Sequence, residues 1–375
     1  MTAASHQVDG VRTRSVRRTV GLVAVVVVVV LLLASPWLAG RIVAGATVLE
    51  GLGIAGPRPF ASAVERHPGT LAGIGVDRYA PASADDEVFG GARRAILLIP
   101  GATPSGRDDR RVVAIAEALA RAGRVVVVPE LEVYGEDLVP ADVDRLVALT
   151  GALADVHGPV VIAGISFGAS LGLVAAADPR IAREVALVAT FGAYADLAGV
   201  VQAATSGVSL VGDQRIPWDP DPRALDVVRE QLLGLLDADD RGKVQAALAS
   251  RSDPADLPTE LRAVHDLLVA EDPTLTMALV ERSPPVVRDR IAAVSPARAG
   301  AGLTVPVIAL HAADDPVIPY GELARLDTVI GEVEPLTLVT FDHVGIGTDR
   351  HSWWTTARDL WQTTRFVDRI LRASR

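Results

Sequence analysis

Through residues 95–190, short apolar runs alternate with segments whose apolar residues recur at helical spacing. This alternation constrains the fold more than any other feature. The runs predict buried strands at residues 95–100, 124–129, 159–163 and 185–190. Between them, helical periodicity covers residues 110–122, 141–153 and 169–177. Strands that alternate with such helices form right-handed βαβ units. We therefore expect an α/β fold with a mostly parallel sheet covered by helices on both faces.

The alternation stops at residues 196–300, which contain helical stretches and no convincing strand. The strand pattern then returns and ends in an amphipathic helix, at residues 306–310, 335–341 and 352–373. We therefore expect residues 196–300 to form a helical cap. The cap is inserted into a core made of residues 76–195 and 301–375.

Residues 19–40 contain no charged side chain. At about 1.5 Å per residue, a helix of this length crosses a hydrocarbon layer of roughly 30 Å. Residues 1–18 carry four arginines and one acid, Asp9, which predicts a cytoplasmic basic arm. Residues 41–75 then form a membrane-proximal connector, and the body lies outside the cytoplasm. The prediction is a single-pass membrane protein.

Two alternatives to an uncleaved anchor remain open. A cleaved signal peptide would use Ala44-Gly45-Ala46 as its cleavage site, although the apolar run is long for that role. A buried core helix is disfavoured because no polar residue interrupts the run on any face. Trp37 near the end of the run suits a membrane interface.

The composition excludes several classes of function. The net charge of −10 disfavours a nucleic-acid binder. The chain has no cysteine, which excludes a disulfide scaffold, a thiolate metal site and a cysteine nucleophile. Because no helix carries spaced metal ligands and no phosphate-binding loop is present, we expect no metal and no cofactor.

The strongest local motif is G-I-S-F-G at residues 164–168. It directly follows one predicted strand and directly precedes a predicted helix. Small residues on both sides of Ser166 suit a sharp turn that exposes a nucleophile at the carboxyl end of a strand. An ordinary glycine-rich turn is the alternative.

A serine nucleophile needs a base that is held by an acid. Asp314 and Asp315 follow the predicted strand at 306–310, and His343 follows the strand at 335–341. Both positions lie at carboxyl ends of strands, where open α/β sheets place their sites. His351 is an alternative base, and His311 is expected to be packed behind the site.

Three segments, ILLIPGATPSG, GISFGAS and LHAADDPVIP, followed by FDHVG, resemble the α/β-hydrolase superfamily over residues 79–371. The resemblance implies an α/β-hydrolase fold with Ser166 as nucleophile, His343 as general base and Asp315 as the acid that orients it. The acid precedes the proline of DPVIP in the family pattern, which selects Asp315 over Asp314. The backbone N–H groups of Phe167 and Ala102 are the expected oxyanion donors. Pro100 stands where the family often has histidine.

These residues predict a membrane-anchored serine hydrolase that cleaves a small or lipid-like carboxylic ester, or a related acyl bond, through an acyl-enzyme. Within the cap, Pro217, Trp218 and residues 232–236 are candidates for lining an acyl pocket, with plain packing as the alternative. An acyltransferase or a peptidase would use the same triad. A catalytically idle envelope scaffold is the alternative from another class.

Overall fold

The computed structural model describes residues 36–57, 62–82, 94–132, 141–299, 303–340 and 352–374. Its strands are β1 Val64–Leu71, β2 Ile74–Pro81, β3 Ala95–Ile99, β4 Val125–Pro129, β5 Val160–Ile165, β6 Val185–Phe191, β7 Val208–Val211, β8 Gln214–Pro217, β9 Val307–Ala312 and β10 Val333–Leu338. Eight of these strands form one sheet in the order β1-β2-β4-β3-β5-β6-β9-β10. Strands β1 and β2 are antiparallel to their neighbours, and the other pairs are parallel. The expected α/β fold with a mostly parallel sheet is confirmed.

Helices cover both faces of this sheet. They are α1 Pro36–Gly51, α2 Arg110–Arg121, α3 Ala141–His157, α4 Phe167–Ala176, α5 Leu197–Ser206, α6 Pro222–Gly234, α7 Ala238–Leu248, α8 Thr259–Val269, α9 Thr276–Arg282, α10 Pro285–Ala293, α11 Pro296–Ala299, α12 Gly321–Ile330 and α13 Trp353–Ala373. One buried cluster joins the sheet to α1, α2 and α13. The other joins it to α3, α4, α12 and the helices of residues 196–300. Because both faces are covered, every residue of β3, β4 and β9 is buried.

The region predicted as a helical cap contains helices α5–α11 and also a two-stranded hairpin of β7 and β8. The expectation of no strand in residues 196–300 is therefore wrong at this hairpin. Each strand has only four residues, and all of β8 is exposed. Such a strand shows no alternation of apolar and polar residues from which it could be predicted.

The expected connector, residues 41–75, contains most of α1 and strand β1. Helix α1 packs against the core and buries Ala44 and Val48. Gly45 of α1 faces α13, since a Cβ built on it would make an ordinary contact with Thr364 Oγ1 at 3.7 Å. Much of the predicted connector is therefore a helix that packs against the core.

The expected membrane span, residues 19–40, lies outside the described residues except for its last five, which begin α1. The basic arm of residues 1–18 also lies outside them. In the part of the chain that the structure describes, no helix combines the length and the apolar character needed to cross a bilayer.

Candidate active site

Ser166 is the single residue between the end of β5 at Ile165 and the start of α4 at Phe167. Its backbone adopts φ 53° and ψ −129°, a conformation that residues other than glycine rarely adopt. Its N–H donates to Phe191 O over 2.7 Å, which fastens the turn to β6. Strain of this kind persists where the surrounding structure enforces it, and it is typical of a nucleophile exposed on a sharp strand-to-helix turn.

The two glycines of the motif are required by packing. A Cβ on Gly164 would lie 2.4 Å from Ala169 Cα, and a Cβ on Gly168 would lie 2.0 Å from Pro100 O. Both clashes involve backbone atoms, which cannot rotate away. Helix α4 therefore approaches β5 and the end of β3 closely enough that only glycine fits at either position.

The loop after β3 lies against the nucleophile. A Cβ on Gly101 would lie 3.1 Å from Ser166 Cβ and 3.7 Å from its Oγ. The backbone N–H groups of Ala102 and Phe167 have no hydrogen-bond acceptor among the described residues. Phe167 begins α4, so the positive end of the helix dipole also lies at this point. N–H donors placed in this way near Ser166 suit the stabilisation of a developing oxyanion.

The strand register places Ser166 and Asp315 at the same edge of the sheet. Ile165 of β5 pairs with Phe191 of β6, and Phe191 pairs with Leu310 of β9. Ser166 follows β5 directly, and Asp315 lies in the loop that follows β9. Adjacent strands are about 4.8 Å apart, so roughly 10 Å separates the ends of β5 and β9. A third side chain at the same edge can span that gap.

Asp315 is the buried member of the two neighbouring aspartates, with 1% of its surface exposed. Its Oδ1 accepts hydrogen bonds from the N–H of Val317 at 2.8 Å and of Ile318 at 2.9 Å. These bonds fix the orientation of the carboxylate. Asp314 is exposed to solvent, so burial and positioning favour Asp315 as the orienting acid.

His311 lies behind this loop, as expected for a packed residue. It is 1% exposed, and its Nε2 lies 3.0 Å from Ile318 O and 3.7 Å from Asp315 Oδ2. Its ring meets the ring of Tyr320 edge-on, with the centroids 5.9 Å apart. This position supports the acid loop and leaves His311 without access to solvent.

The expected base, His343, and its alternative, His351, lie outside the described residues. The chain that leads to them is held firmly, because Asp359 Oδ2 of α13 accepts from the N–H of Val339 at 2.7 Å and of Thr340 at 2.6 Å. Strand β10 pairs with β9 in parallel, so the chain reaches this point at the carboxyl edge that carries Asp315.

Tyr194 and Ser170 form a buried pair behind the nucleophile that no motif indicated. Ser170 Oγ donates to Tyr194 O over 3.0 Å and accepts from Tyr194 N over 2.9 Å. The Tyr194 hydroxyl donates to Val294 O in the cap over 3.1 Å. Its ring lies 5.6 Å from that of Phe167, and burial raises the pKa of Tyr194 well above its ordinary value. The pair fastens α4 to the loop after β6 and to the cap.

Glu322 of α12 holds the same loop from the other side. Its Oε2 accepts from Ala195 N at 2.9 Å and from Asp196 N at 3.0 Å, and its Oε1 lies 3.1 Å from Arg325 Nη1. Burial raises the pKa of Glu322, and the charge of Arg325 opposes that shift. The residues of this network are too far apart in the sequence for any local pattern to connect them.

Trp218 follows β8 and touches the acid loop, since its Nε1 donates to Asp315 O over 2.7 Å. Leu232, Leu233 and Leu236, by contrast, are buried in the hydrophobic core of the cap. Of the cap residues proposed to line a pocket, Trp218 therefore lies beside the acid loop, and Leu233 lines a cavity within the cap.

A cavity of about 690 Å³ lies among α6, α7 and the end of α8. A neighbouring cavity of about 640 Å³ lies beside the turn after α7. Both belong to the cap and are lined by none of the residues around Ser166. Within the described ranges, no group of three or more His, Asp and Glu side chains is placed to bind a metal ion.

Comparison with known proteins finds similar solved structures at low sequence identity. No protein-family model and no curated protein sequence matches this chain. A hormone-sensitive lipase from a metagenome library is 16% identical with a TM-score of 0.44, and the match covers 90% of this chain and 92% of that one. A membrane phospholipase A, a bacterial virulence factor, is 14% identical with a TM-score of 0.42, covering 93% and 99%. An esterase/lipase from an uncultured bacterium is 14% identical with a TM-score of 0.43, covering 91% and 98%. These values are too low to transfer an activity.

Proposed function

We propose that this protein is a serine hydrolase that cleaves a carboxylic ester or a related acyl bond. The observation that carries the proposal is the strained backbone of Ser166, at φ 53° between β5 and α4. On a strand-to-helix turn, this conformation projects the serine side chain from the carboxyl edge of the sheet. The Gly101 loop lies against it. The N–H groups of Ala102 in this loop and of Phe167 at the start of α4 have no acceptor among the described residues.

The proposed reaction runs through an acyl-enzyme. Ser166 Oγ attacks the acyl carbon while His343 takes its proton, and Asp315 orients the imidazole and stabilises its charged form. Negative charge develops on the acyl oxygen, where the N–H groups of Phe167 and Ala102 donate. The bond to the leaving alcohol breaks, and the alcohol takes the proton from His343. Water activated by His343 then releases the acid and restores Ser166.

The proposal includes a membrane anchor at residues 19–40, with the basic arm in the cytoplasm and the body outside it. The uncharged run and the arginines that precede it support this arrangement. Attachment to a bilayer favours substrates that are themselves lipid-like esters. The net charge of −10 argues against nucleic-acid partners.

Labelling with a fluorophosphonate tests the nucleophile, because this probe reacts with a serine that its neighbours have activated. The full chain in detergent is compared with Ser166→Ala and with Ser250→Ala. Ser250 is a matched control, since it is exposed and also has a positive φ, 55°, but lies after α7 in the cap. Labelling should disappear in Ser166→Ala and persist in Ser250→Ala. A folded protein that is not labelled would instead support an idle scaffold.

Two further pairs of variants test the remaining roles through hydrolysis of a short-chain ester. Asp315→Asn should reduce kcat strongly, and Asp314→Asn should leave it nearly unchanged, since Asp314 is exposed. His343→Ala should abolish turnover, and His351→Ala should be mild. A reversal within the histidine pair would assign the base to His351.

A further inference from the structure

Helix α13 carries tryptophans that face solvent. Trp353, Trp354 and Trp361, the tryptophan face of α13, are 64%, 67% and 51% exposed. Trp354 and Trp361 are seven residues apart, which places them on one side of the helix two turns from each other. Side chains this large and apolar usually mark an interaction surface when they are exposed together.

This face lies beside the point where the apolar N-terminal run meets the body. Arg41 is the first charged residue after residues 19–40. Its guanidinium lies 4.3 Å from the centre of the Trp361 ring, and its Nε lies 3.8 Å from Asp368 Oδ2. These contacts fasten the start of α1 to the middle of α13, with no linker between the run and the body.

We propose that the tryptophan face of α13 rests in the headgroup region of the membrane that residues 19–40 enter. Tryptophan favours this region because its ring is apolar while its N–H can bond to water or headgroups. Arg358 is also exposed, four residues after Trp354 and three before Trp361. A cation between the rings favours a bilayer that contains anionic lipid. The inference rests on the proposed anchor and deepens it.

The same contact turns the catalytic edge of the sheet toward the lipid. Asp359 binds the N–H groups of Val339 and Thr340, just beyond the carboxyl end of β10. The first turn of α13, which carries Trp353 and Trp354, therefore lies at the sheet edge that carries Ser166. An ester that sits in the outer leaflet would have only a short path to the nucleophile.

Spin labels on single cysteines test the contact, and the chain is suited to them because it has no native cysteine. The full chain carries Trp354→Cys or Trp361→Cys in nanodiscs of phosphatidylcholine and phosphatidylglycerol. Met277→Cys, on the exposed cap, serves as the water-facing reference, and Val30→Cys reports on the proposed span. Collision rates with oxygen and with a water-soluble nickel complex are measured, and circular dichroism checks that each variant is folded.

Labels at positions 354 and 361 should be severalfold less accessible to nickel, and more accessible to oxygen, than the label at 277. If they match position 277 while position 30 is protected, the face lies in water and the inference is wrong, although the anchor stands. If position 30 is also open to nickel, the anchor itself fails. Protection from both reagents, with dipolar broadening between singly labelled molecules, would assign the face to a second copy of the chain.

Discussion

The indole Nε1 of Trp218 donates a hydrogen bond to the backbone carbonyl of Asp315 over 2.7 Å. Three residues later, Asp221 N donates to Pro316 O over 2.8 Å. The chain that leaves the β7–β8 hairpin is thus tied at two points to the loop that presents the proposed acid. A movement of the cap would therefore shift Asp315 through these hydrogen bonds. We accordingly expect Trp218 to act as a positioning residue.

Trp218→Phe keeps an aromatic ring and removes the donor. A net hydrogen bond contributes about 1 kcal/mol, which corresponds to roughly a fivefold change in rate when it is lost from the positioned state. We expect kcat for a short ester to fall by about that factor, with KM little changed, because the bond positions the acid and not the substrate. Ile216→Ala, on the exposed strand β8, is the control. Equal kcat values in all three proteins would contradict the role.

The φ of 53° at Ser166 indicates a strained backbone, and relief of this strain should change the stability of the protein. Ser166→Gly should raise the free energy of unfolding by about 1 kcal/mol while abolishing activity, since glycine adopts this conformation without strain. Ser166→Ala should be equally inactive without that gain. Urea unfolding of the full chain in detergent, followed by tryptophan fluorescence, measures the difference.

Ser250 provides a second comparison, because its φ of 55° is nearly the same outside the site. Ser250→Gly should raise stability to a similar extent and leave ester hydrolysis intact. A destabilised Ser166→Gly would mean that the turn is not strained and would weaken the assignment of Ser166.

The core fold could be predicted because its signals are local. Strands β3–β6 and β9 each contain a short apolar run, and the motif around Ser166 occupies one strand, one turn and one helix. Helix α1 could not be predicted in its packed role, since its glycines and alanines show no apolar face in the sequence. Strand β8 is exposed throughout and has no periodicity to detect.

Within the candidate site, Ser166 and Asp315 could be singled out from the sequence, and the residues that hold them in place could not. Ser166 and Asp315 each follow a recognisable strand, so their chemistry is visible from local context. Ser170, Tyr194 and Glu322 meet only because the sheet brings α4, the loop after β6 and α12 together. A hydrogen-bond network of this kind depends on topology, which short sequence patterns do not encode.

The close packing of α4 predicts opposite effects for two glycine substitutions. Gly168→Ala should lower the free energy of unfolding by several kcal/mol or prevent folding, because its Cβ would lie 2.0 Å from the backbone oxygen of Pro100. Gly242→Ala should raise it by about 0.5–1 kcal/mol, because alanine favours a helix interior. Gly242 lies inside α7 with nothing within 4 Å of a new Cβ. Thermal unfolding of the parent and the two variants measures these effects. A melting temperature of Gly168→Ala equal to that of the parent would contradict this account.

Asp109 predicts an acid-dependent loss of stability near the oxyanion loop. It caps α2 by accepting from Arg111 N at 2.9 Å, pairs with Arg111 Nη2 at 2.9 Å, and accepts from Thr103 Oγ1 at 3.4 Å. The pKa of Asp109 is lowered from 3.8 to about 2, mainly because the side chain of Arg111 donates hydrogen bonds to it. Because the folded state lowers this pKa, the stabilisation is complete well above pH 3.8 and is lost as the pH falls through about 2.

Asp109→Asn keeps a capping side chain and removes the titrating charge. The parent should be more stable than this variant by about 1 kcal/mol near neutral pH, since a hydrogen bond to a charged group is the stronger kind. That difference should hold down to about pH 5 and shrink between about pH 4 and pH 2. Urea unfolding at each pH measures the free energy of unfolding of both proteins. Taking the difference between the two values cancels the titration of the other carboxylates. Asp314→Asn, at an exposed aspartate, is the control for the loss of one carboxylate. A gap between the parent and Asp109→Asn that persists unchanged at pH 2 would show that the charge on Asp109 does not stabilise the fold.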